Sequence, residues 1–149
     1  MESVTLHSRD EMRAFAGGVV RGLAPRNTAT VLALSGDLGA GKTTFTQCLA
    51  DALGVTETVT SPTFLVMRSY ELRTKAFKRL IHIDAYRIDE EDEARVIGLG
   101  DLLLDPENII VIEWAERIPS YIPEDAFRFM LAHGEGETRT ISFSAHGNN

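Results

Sequence analysis

Residues 36–43 read Gly36-Asp37-Leu38-Gly39-Ala40-Gly41-Lys42-Thr43, which fits the pattern G-x-x-x-x-G-K-[ST]. Gly36, Gly39 and Gly41 permit backbone angles that turn successive amides inward, so the loop can wrap an anion with N–H groups. Lys42 can reach outer phosphate oxygens, and the Thr43 hydroxyl is placed to ligate Mg²⁺ at the start of a helix. The pattern predicts a phosphate-binding loop for Mg-ATP or a close relative.

The segments on either side of this loop have the sequence patterns of the strand and the helix that flank a phosphate-binding loop. Residues 30–34 form a short apolar run, typical of a strand covered on both faces. Residues 43–53 predict a helix, with Phe45 and Leu49 on one side and Gly54 after its end. Strand, loop and helix therefore follow in order, which favours a P-loop over a chance glycine-rich turn.

Three further segments predict the rest of a sheet. Residues 64–72 and 80–84 have strand character, and residues 109–112 are consecutive β-branched residues, which indicates a central buried strand. From Ala126 the pattern alternates strictly around a glycine turn, which predicts an antiparallel hairpin at the sheet margin. We expect one domain over residues 1–149: a P-loop NTPase three-layer α/β/α sandwich with a mainly parallel central sheet and an antiparallel C-terminal hairpin.

Two other helices are predicted from their first turns. Residues 8–11 fit a capping box, in which Ser8 caps the N3 amide and Glu11 reaches back to the cap, and the helix that follows ends at Pro25. Residues 89–93 are all acidic, and acidic side chains favour the positive end of a helix dipole. This run is therefore interpreted as a helix start rather than as a site.

Composition and charge narrow the class of protein. A chain of 149 residues with 44% hydrophobic and 25% charged residues is typical of a globular domain. Because no apolar run reaches membrane-span length and no secretory signal opens the chain, we expect a cytoplasmic protein without a membrane partner. The net charge of −7 disfavours a large nucleic-acid interface, so we expect any nucleic-acid role to be indirect. Cys48, the only cysteine, is interpreted as a core residue.

Two carboxylates follow predicted strands, at the sheet edge where α/β proteins bind ligands. Glu113 could hold Mg²⁺, directly or through water, or orient an attacking water; the alternative is an ion pair at a strand end. Asp84 could be a second such carboxylate; the alternative is a cap on the turn before Tyr86. The residues predicted to be catalytic are Lys42, Asp84 and Glu113, and the predicted metal ligands are Thr43 and Glu113.

Other polar and aromatic residues have weaker signals. Residues 60–64 place three hydroxyls around Pro62, which fits a loop that senses the terminal phosphate and fits a plain turn equally well. His82 is interpreted as a satisfied interior histidine and Trp114 as packing beside the site. The positive charge that gathers in residues 68–79 is interpreted as a solvated loop; it comprises Arg68, Arg73, Lys75, Lys78 and Arg79.

Four short signatures extend the argument beyond the loop: residues 36–44, Ser61-Pro62-Thr63-Phe64, His82-Ile83-Asp84-Ala85-Tyr86-Arg87 and Glu113-Trp114. In this order they resemble the signatures of the bacterial TsaE (YjeE) family of P-loop ATPases, and the resemblance covers nearly the whole chain. The P-loop alone indicates a superfamily, whereas the His-x-Asp-x-Tyr-Arg and Glu-Trp signatures at these spacings are much more specific.

The resemblance implies an ATPase that uses ATP and Mg²⁺ and assists two partners, TsaB and TsaD. Together they make the threonylcarbamoyl modification on the adenosine beside the anticodon of ANN-decoding tRNAs, and TsaD performs the carbamoyl transfer. It implies that Thr43 and Glu113 hold Mg²⁺, that Asp84 lies at the phosphate end, and that residues 8–10 and the segment after Glu113 approach the nucleoside. The implied nucleotide contacts are Gly36, Asp37, Leu38, Gly39, Ala40, Gly41, Lys42, Thr43, Thr44, Ser61, Thr63 and Glu116.

Three other classes of nucleotide-binding protein share a P-loop of this kind. A switch GTPase would carry N-K-x-D, which this sequence lacks, and its D-x-x-G match at residues 51–54 lies in the predicted P-loop helix. A small kinase of an unidentified acceptor would usually add an arginine-rich lid, for which only residues 68–79 are available. A nucleotide sensor that does not hydrolyse ATP is the third alternative.

Overall fold

A seven-stranded sheet forms the centre of the computed structural model, which describes residues 2–59, 67–88 and 98–144. Its order is β1-β7-β6-β2-β5-β4-β3. Strand β2 pairs in parallel with β5 and β6, β4 pairs in parallel with β5, and the outer pairings are antiparallel. The strands are β1 (Glu2–Leu6), β2 (Thr30–Gly36), β3 (Met67–Glu71), β4 (Arg79–Asp84), β5 (Asn108–Glu113), β6 (Phe127–His133) and β7 (Arg139–Ser144).

Three α-helices are described, α1 (Arg9–Arg21), α2 (Lys42–Ala52) and α3 (Leu99–Leu104), together with 3₁₀ turns at Ala85–Arg87, Ala115–Arg117 and Pro119–Tyr121. None of the helices in the described ranges is long and apolar enough to cross a lipid bilayer. Helix α2 ends as expected, with Leu53 as its cap and Gly54 at φ +86° beyond it. Helix α1 ends at the Gly22 cap, one residue before the apolar run ends at Leu23 and three before Pro25, the predicted stop.

The capping box of α1 forms with one change. The Ser8 hydroxyl accepts a hydrogen bond from the Glu11 amide at 3.1 Å, as expected. The Glu11 carboxylate accepts from the His7 amide at 2.9 Å, whereas the sequence predicted a bond to the cap itself. The His7 ring nitrogen Nδ1 lies 3.1 Å from the same oxygen. Binding to His7 gives that oxygen a second neighbour, which the Ser8 amide would not provide.

Apolar side chains pack on both faces of the sheet. On one face Leu32 and Val111 pack with Phe45 and other residues of α1 and α2. On the other face Val31 and Ile110 pack with α3 and the 3₁₀ turns. Because β2 and β5 are covered on both sides, their sequences are continuously apolar rather than alternating. The expected three-layer P-loop α/β class is confirmed.

The margins of the sheet differ from the prediction. The β6–β7 hairpin forms antiparallel as expected, but β1 pairs outside it, so β7 is not an edge strand. The predicted strand at 64–72 appears as β3 within the described part of the chain. Residues 60–66, which include Ser61 and Thr63, and the predicted helix start at 89–93 lie outside the described residues.

Gly36 is required by the close approach of β6 to the end of β2. Its φ is +136°, and a Cβ placed there would lie 2.3 Å from the Leu131 carbonyl oxygen. Gly54 also has a positive φ, +86°, but a Cβ there would meet nothing within 4 Å. We expect Gly36→Ala to lower the free energy of unfolding by at least about 2 kcal/mol more than Gly54→Ala. Urea denaturation measures both, and equal losses would contradict the role of the β6 contact.

Candidate functional site

The glycine-rich loop lies between the end of β2 and the start of α2. Gly36, Gly39 and Gly41 have positive φ values of +136°, +79° and +103°, as expected for a loop whose amides turn inward. Gly41 is the N-cap of α2 and makes no side-chain cap hydrogen bond. Glycine has no side chain that could cap the first amides of α2, and uncapped amides at a helix start favour a bound anion.

Lys42 lies at the neck of this loop and is only 5% exposed. Its ammonium donates to the carbonyls of Gly36 and Asp37, the latter at 2.9 Å, and lies 3.9 Å from the centroid of the Trp114 ring. Burial lowers the pKa of Lys42, while the negative charges of nearby carboxylates, Glu113 first, raise it. The site thus holds an ammonium group against neutral carbonyls that a phosphate oxygen could replace.

Glu113 ends β5 and is 2% exposed. One carboxylate oxygen, Oε1, accepts a hydrogen bond from the Thr43 hydroxyl at 3.0 Å, and the other, Oε2, contacts His82 Nε2. The alternative role that the sequence left for Glu113, pairing with a side chain at a strand end, is therefore part of the arrangement, as a hydrogen-bond contact with His82. His82 is satisfied at Nε2, as expected of an interior histidine.

Asp84 lies beside Glu113, because the parallel pairing of β4 and β5 sets these two residues opposite each other. Its Oδ1 accepts from the Tyr86 amide at 3.0 Å, so it caps the turn that follows β4. It also lines the cleft next to the loop. The capping alternative is confirmed, and the carboxylate still faces the predicted site.

A cleft of about 420 Å³ opens beside the loop. Its residues come from five regions of the chain, and residues near β1 and β7 form one wall. The wall residues Leu6, Met12, Glu137 and Arg139 were not predicted as site residues, because only long-range strand pairing brings β1 and β7 to the loop. The lining consists of Leu6, Ser8, Arg9, Met12, Leu38, Gly39, Gly41, Lys42, Thr43, Thr44, Asp84, Glu113, Trp114, Glu137 and Arg139.

The other predicted contacts fall around this cleft. The Asp37 carbonyl accepts a hydrogen bond from Lys42, and Ala40, within the loop, is fully buried in the hydrophobic core. Glu116 is exposed in the 3₁₀ turn after β5 and does not line the cleft, although its charge acts on Lys42. The family resemblance implies that residues 8–10 approach the nucleoside, and two of them, Ser8 and Arg9, line the cleft. Trp114 packs beside the site as predicted, with its ring centroid 4.9 Å from that of Tyr86.

The oxygen atoms at Thr43 and Glu113 suit a magnesium ion. A hydroxyl and a carboxylate are hard ligands, and here they already lie 3.0 Å apart. Over the described ranges, no group of three or more His, Cys, Asp and Glu side chains could hold a metal by itself. Mg²⁺ usually takes one or two protein oxygens and completes its shell with phosphates and water, so this pair fits it.

The parallel sheet, the loop and the helix that starts from it define a P-loop α/β protein. A family model described as "Threonylcarbamoyl adenosine biosynthesis protein TsaE" matches residues 6–141. The chain belongs to the TsaE family. This result agrees with the resemblance of the four sequence signatures.

Individual relatives agree with this membership. The chain is 39% identical to the tRNA threonylcarbamoyladenosine biosynthesis protein TsaE of Bacillus subtilis, over 79% of this chain and 71% of that one. It is 37% identical to the protein of that name from Borreliella burgdorferi, over 80% and 85% of the two chains. The crystal structure of Bacillus subtilis YdiB superposes with a TM-score of 0.77 at 28% identity, covering 99% of this chain and 86% of that one.

The Thr43 hydroxyl supplies a donor to the buried Glu113 carboxylate. We expect Thr43→Val, which keeps the shape and removes the hydroxyl, to lower the free energy of unfolding by about 1–3 kcal/mol. Thr43→Ser keeps the donor and should cost less than about 1 kcal/mol. Urea denaturation of the nucleotide-free protein makes the comparison. A serine variant as unstable as the valine variant would show that the methyl group, and not the hydrogen bond, matters.

Proposed function

We propose that this protein is a Mg²⁺-dependent ATPase that acts with TsaB and TsaD in the cytoplasm. The product would be the threonylcarbamoyl modification of the adenosine beside the anticodon of ANN-decoding tRNAs. Membership of the TsaE family assigns the chain a role in threonylcarbamoyladenosine biosynthesis. The observation that carries the ATPase proposal is the hydrogen bond from the Thr43 hydroxyl to Glu113, next to Lys42 of the glycine-rich loop.

Phosphate binding follows from the loop itself. The Lys42 ammonium now binds two loop carbonyls and can turn to phosphate oxygens, which are stronger acceptors because they are charged. Inward amides and the start of α2 would hold the remaining oxygens. Negative phosphate groups beside Lys42 would also offset the burial that lowers its pKa. The loop can therefore bind a polyphosphate without rebuilding the fold.

Hydrolysis needs a second set of groups. When bound, Mg²⁺ would neutralise charge on the phosphate oxygens. Thr43 and Glu113 would hold the ion, and Asp84, on the neighbouring strand, would face the same end of the cleft and could orient water. Trp114 covers Lys42 and would restrict water around the ammonium. These residues provide positioning and charge, which is most of what phosphoryl transfer requires.

An accessory role suits the size of the site. A cleft of about 420 Å³ lies at the lower end of the range for small-ligand pockets and can take one nucleotide. In the proposal, carbamoyl transfer to tRNA belongs to TsaD, and ATP binding and hydrolysis control how this protein docks on and leaves its partners. Contact with tRNA would be indirect, in keeping with the net charge of −7.

Replacing Lys42 tests the phosphate site. We expect Lys42→Ala to weaken ATP binding by about a hundredfold or more, because it removes charge-assisted hydrogen bonds to phosphate. Lys78→Ala is the matched control, since Lys78 is an exposed lysine that does not line the cleft. Isothermal titration calorimetry with Mg-ATP measures both variants. Unchanged affinity in Lys42→Ala would exclude the proposed loop function.

Reconstitution with TsaB, TsaD and tRNA tests the whole proposal, with the modified nucleoside as the readout. We expect repeated turnover to require ATP, and Glu113→Gln to lower ATP hydrolysis and turnover at least about tenfold while ATP still binds. Glu107→Gln, an exposed site outside the cleft, should behave as wild type.

The other results of this reconstitution point to other functions. Repeated turnover without ATP would contradict the assignment. Phosphorylation of a small acceptor would support the kinase alternative, and ATP binding without release of ADP would support the sensor.

A further inference from the structure

His82 is a polar ring in an apolar setting. It lies on β4, between β3 and β5 in the sheet, and is 0% exposed. Its neighbours Ile81 and Ile83 belong to the core on the opposite face, so the ring lies on the face that carries α1 and α2. Burying a polar group costs free energy unless it makes a hydrogen bond. Its position therefore requires a partner.

That partner is Glu113. Nε2 of His82 contacts the carboxylate oxygen Oε2, and the second oxygen, Oε1, accepts from Thr43 at 3.0 Å. A chain of three side chains thus runs from β4 through β5 to the first turn of α2. With a donor at each oxygen, the carboxylate cannot rotate without breaking a bond in a buried place. His82 therefore sets the orientation of the oxygen that faces the loop.

We propose that His82 is a positioning residue for the magnesium site: its Nε2–H holds Glu113 so that Oε1 faces the Thr43 hydroxyl. The inference rests on the proposed function for its metal, but the orientation of Glu113 is a property of the protein alone. Residues behind metal ligands commonly tune affinity in this way. The family resemblance implied no such role for His82, and His82 was not among the residues predicted for the site.

The other ring nitrogen supports this assignment. Within the part of the chain that the structure describes, the buried Nδ1 of His82 has no hydrogen-bond partner. Among the described residues, Glu113 is therefore the hydrogen-bond partner of the His82 ring. A neutral ring that donates to Glu113 carries its proton on Nε2. A histidine that only filled space would show no such preference. Protonation at Nε2 is therefore the tautomer that the positioning role requires.

The first experiment uses the protein without metal or nucleotide. Nitrogen-15 NMR of labelled protein reports which ring nitrogen carries the proton. We expect His82 to be protonated at Nε2, and Glu113→Gln to shift that resonance while those of the exposed His7 and His133 stay unchanged. A neutral ring protonated at Nδ1, or an unchanged Nε2 resonance in Glu113→Gln, would overturn the proposal.

The second experiment compares two replacements of His82 by measuring nucleotide affinity over a range of Mg²⁺ concentrations. His82→Phe keeps a ring and removes the donor, and we expect it to raise the half-saturating Mg²⁺ concentration about ten- to hundredfold. His82→Gln places an amide donor near the position of Nε2 and should restore it to within about threefold of wild type. Affinity in excess chelator should be the same in all three proteins.

The outcomes separate the two proposals. His82 does not position the site if His82→Phe binds Mg²⁺-nucleotide as wild type does. The same follows if the Mg²⁺ dependence of nucleotide binding is as impaired in His82→Gln as in a folded His82→Phe. If His82→Phe does not fold, the glutamine variant and the tautomer decide. If wild-type binding is independent of Mg²⁺, the metal part of the proposed function and of this inference fails, whereas the tautomer still decides whether His82 orients Glu113.

Discussion

The parallel pairing of three strands is the constraint on which the site depends. The register sets Leu34 of β2 opposite Glu113 of β5, and Glu113 opposite Asp84 of β4. Because parallel strands end at the same edge, the loop after β2 and both carboxylates meet there. A shift of one residue in β5 would turn Glu113 to the other face of the sheet, away from Thr43. The apolar residues of β5 pack on both faces and hold the register that the chemistry requires.

The sequence was sufficient for the parts of the site that are local or that follow strand ends. Short segments form these parts: the loop, α2, β2 and β5. Their glycines and apolar runs predict each of them without knowledge of the rest of the chain. The edge carboxylates could be placed because parallel strands impose a common direction. His82 was correctly interpreted as an interior residue, but its contact with Glu113 depends on side-chain direction in two paired strands, which spacing alone does not give.

The parts that sequence missed have long-range causes. Strand β1 has mainly exposed residues and little alternation of burial, so its five residues give no strand signal before they pair with β7. The same pairing brings Leu6 and Arg139 into the cleft wall. Residues 60–66 lie outside the described parts, so Ser61 and Thr63 remain predictions from resemblance.

The pairing of β1 with β7 also bears on how the protein is made. Glu2–Leu6 is synthesised more than a hundred residues before its partner Arg139–Ser144. The cleft wall that these strands build therefore cannot form until β7 has been synthesised, and closing so large a loop is slow. The pairing of β2 with β5 and β6 needs only residues that precede β7, whereas this wall needs β7 itself. Ligand binding that needs the wall consequently requires a chain that has been synthesised through β7.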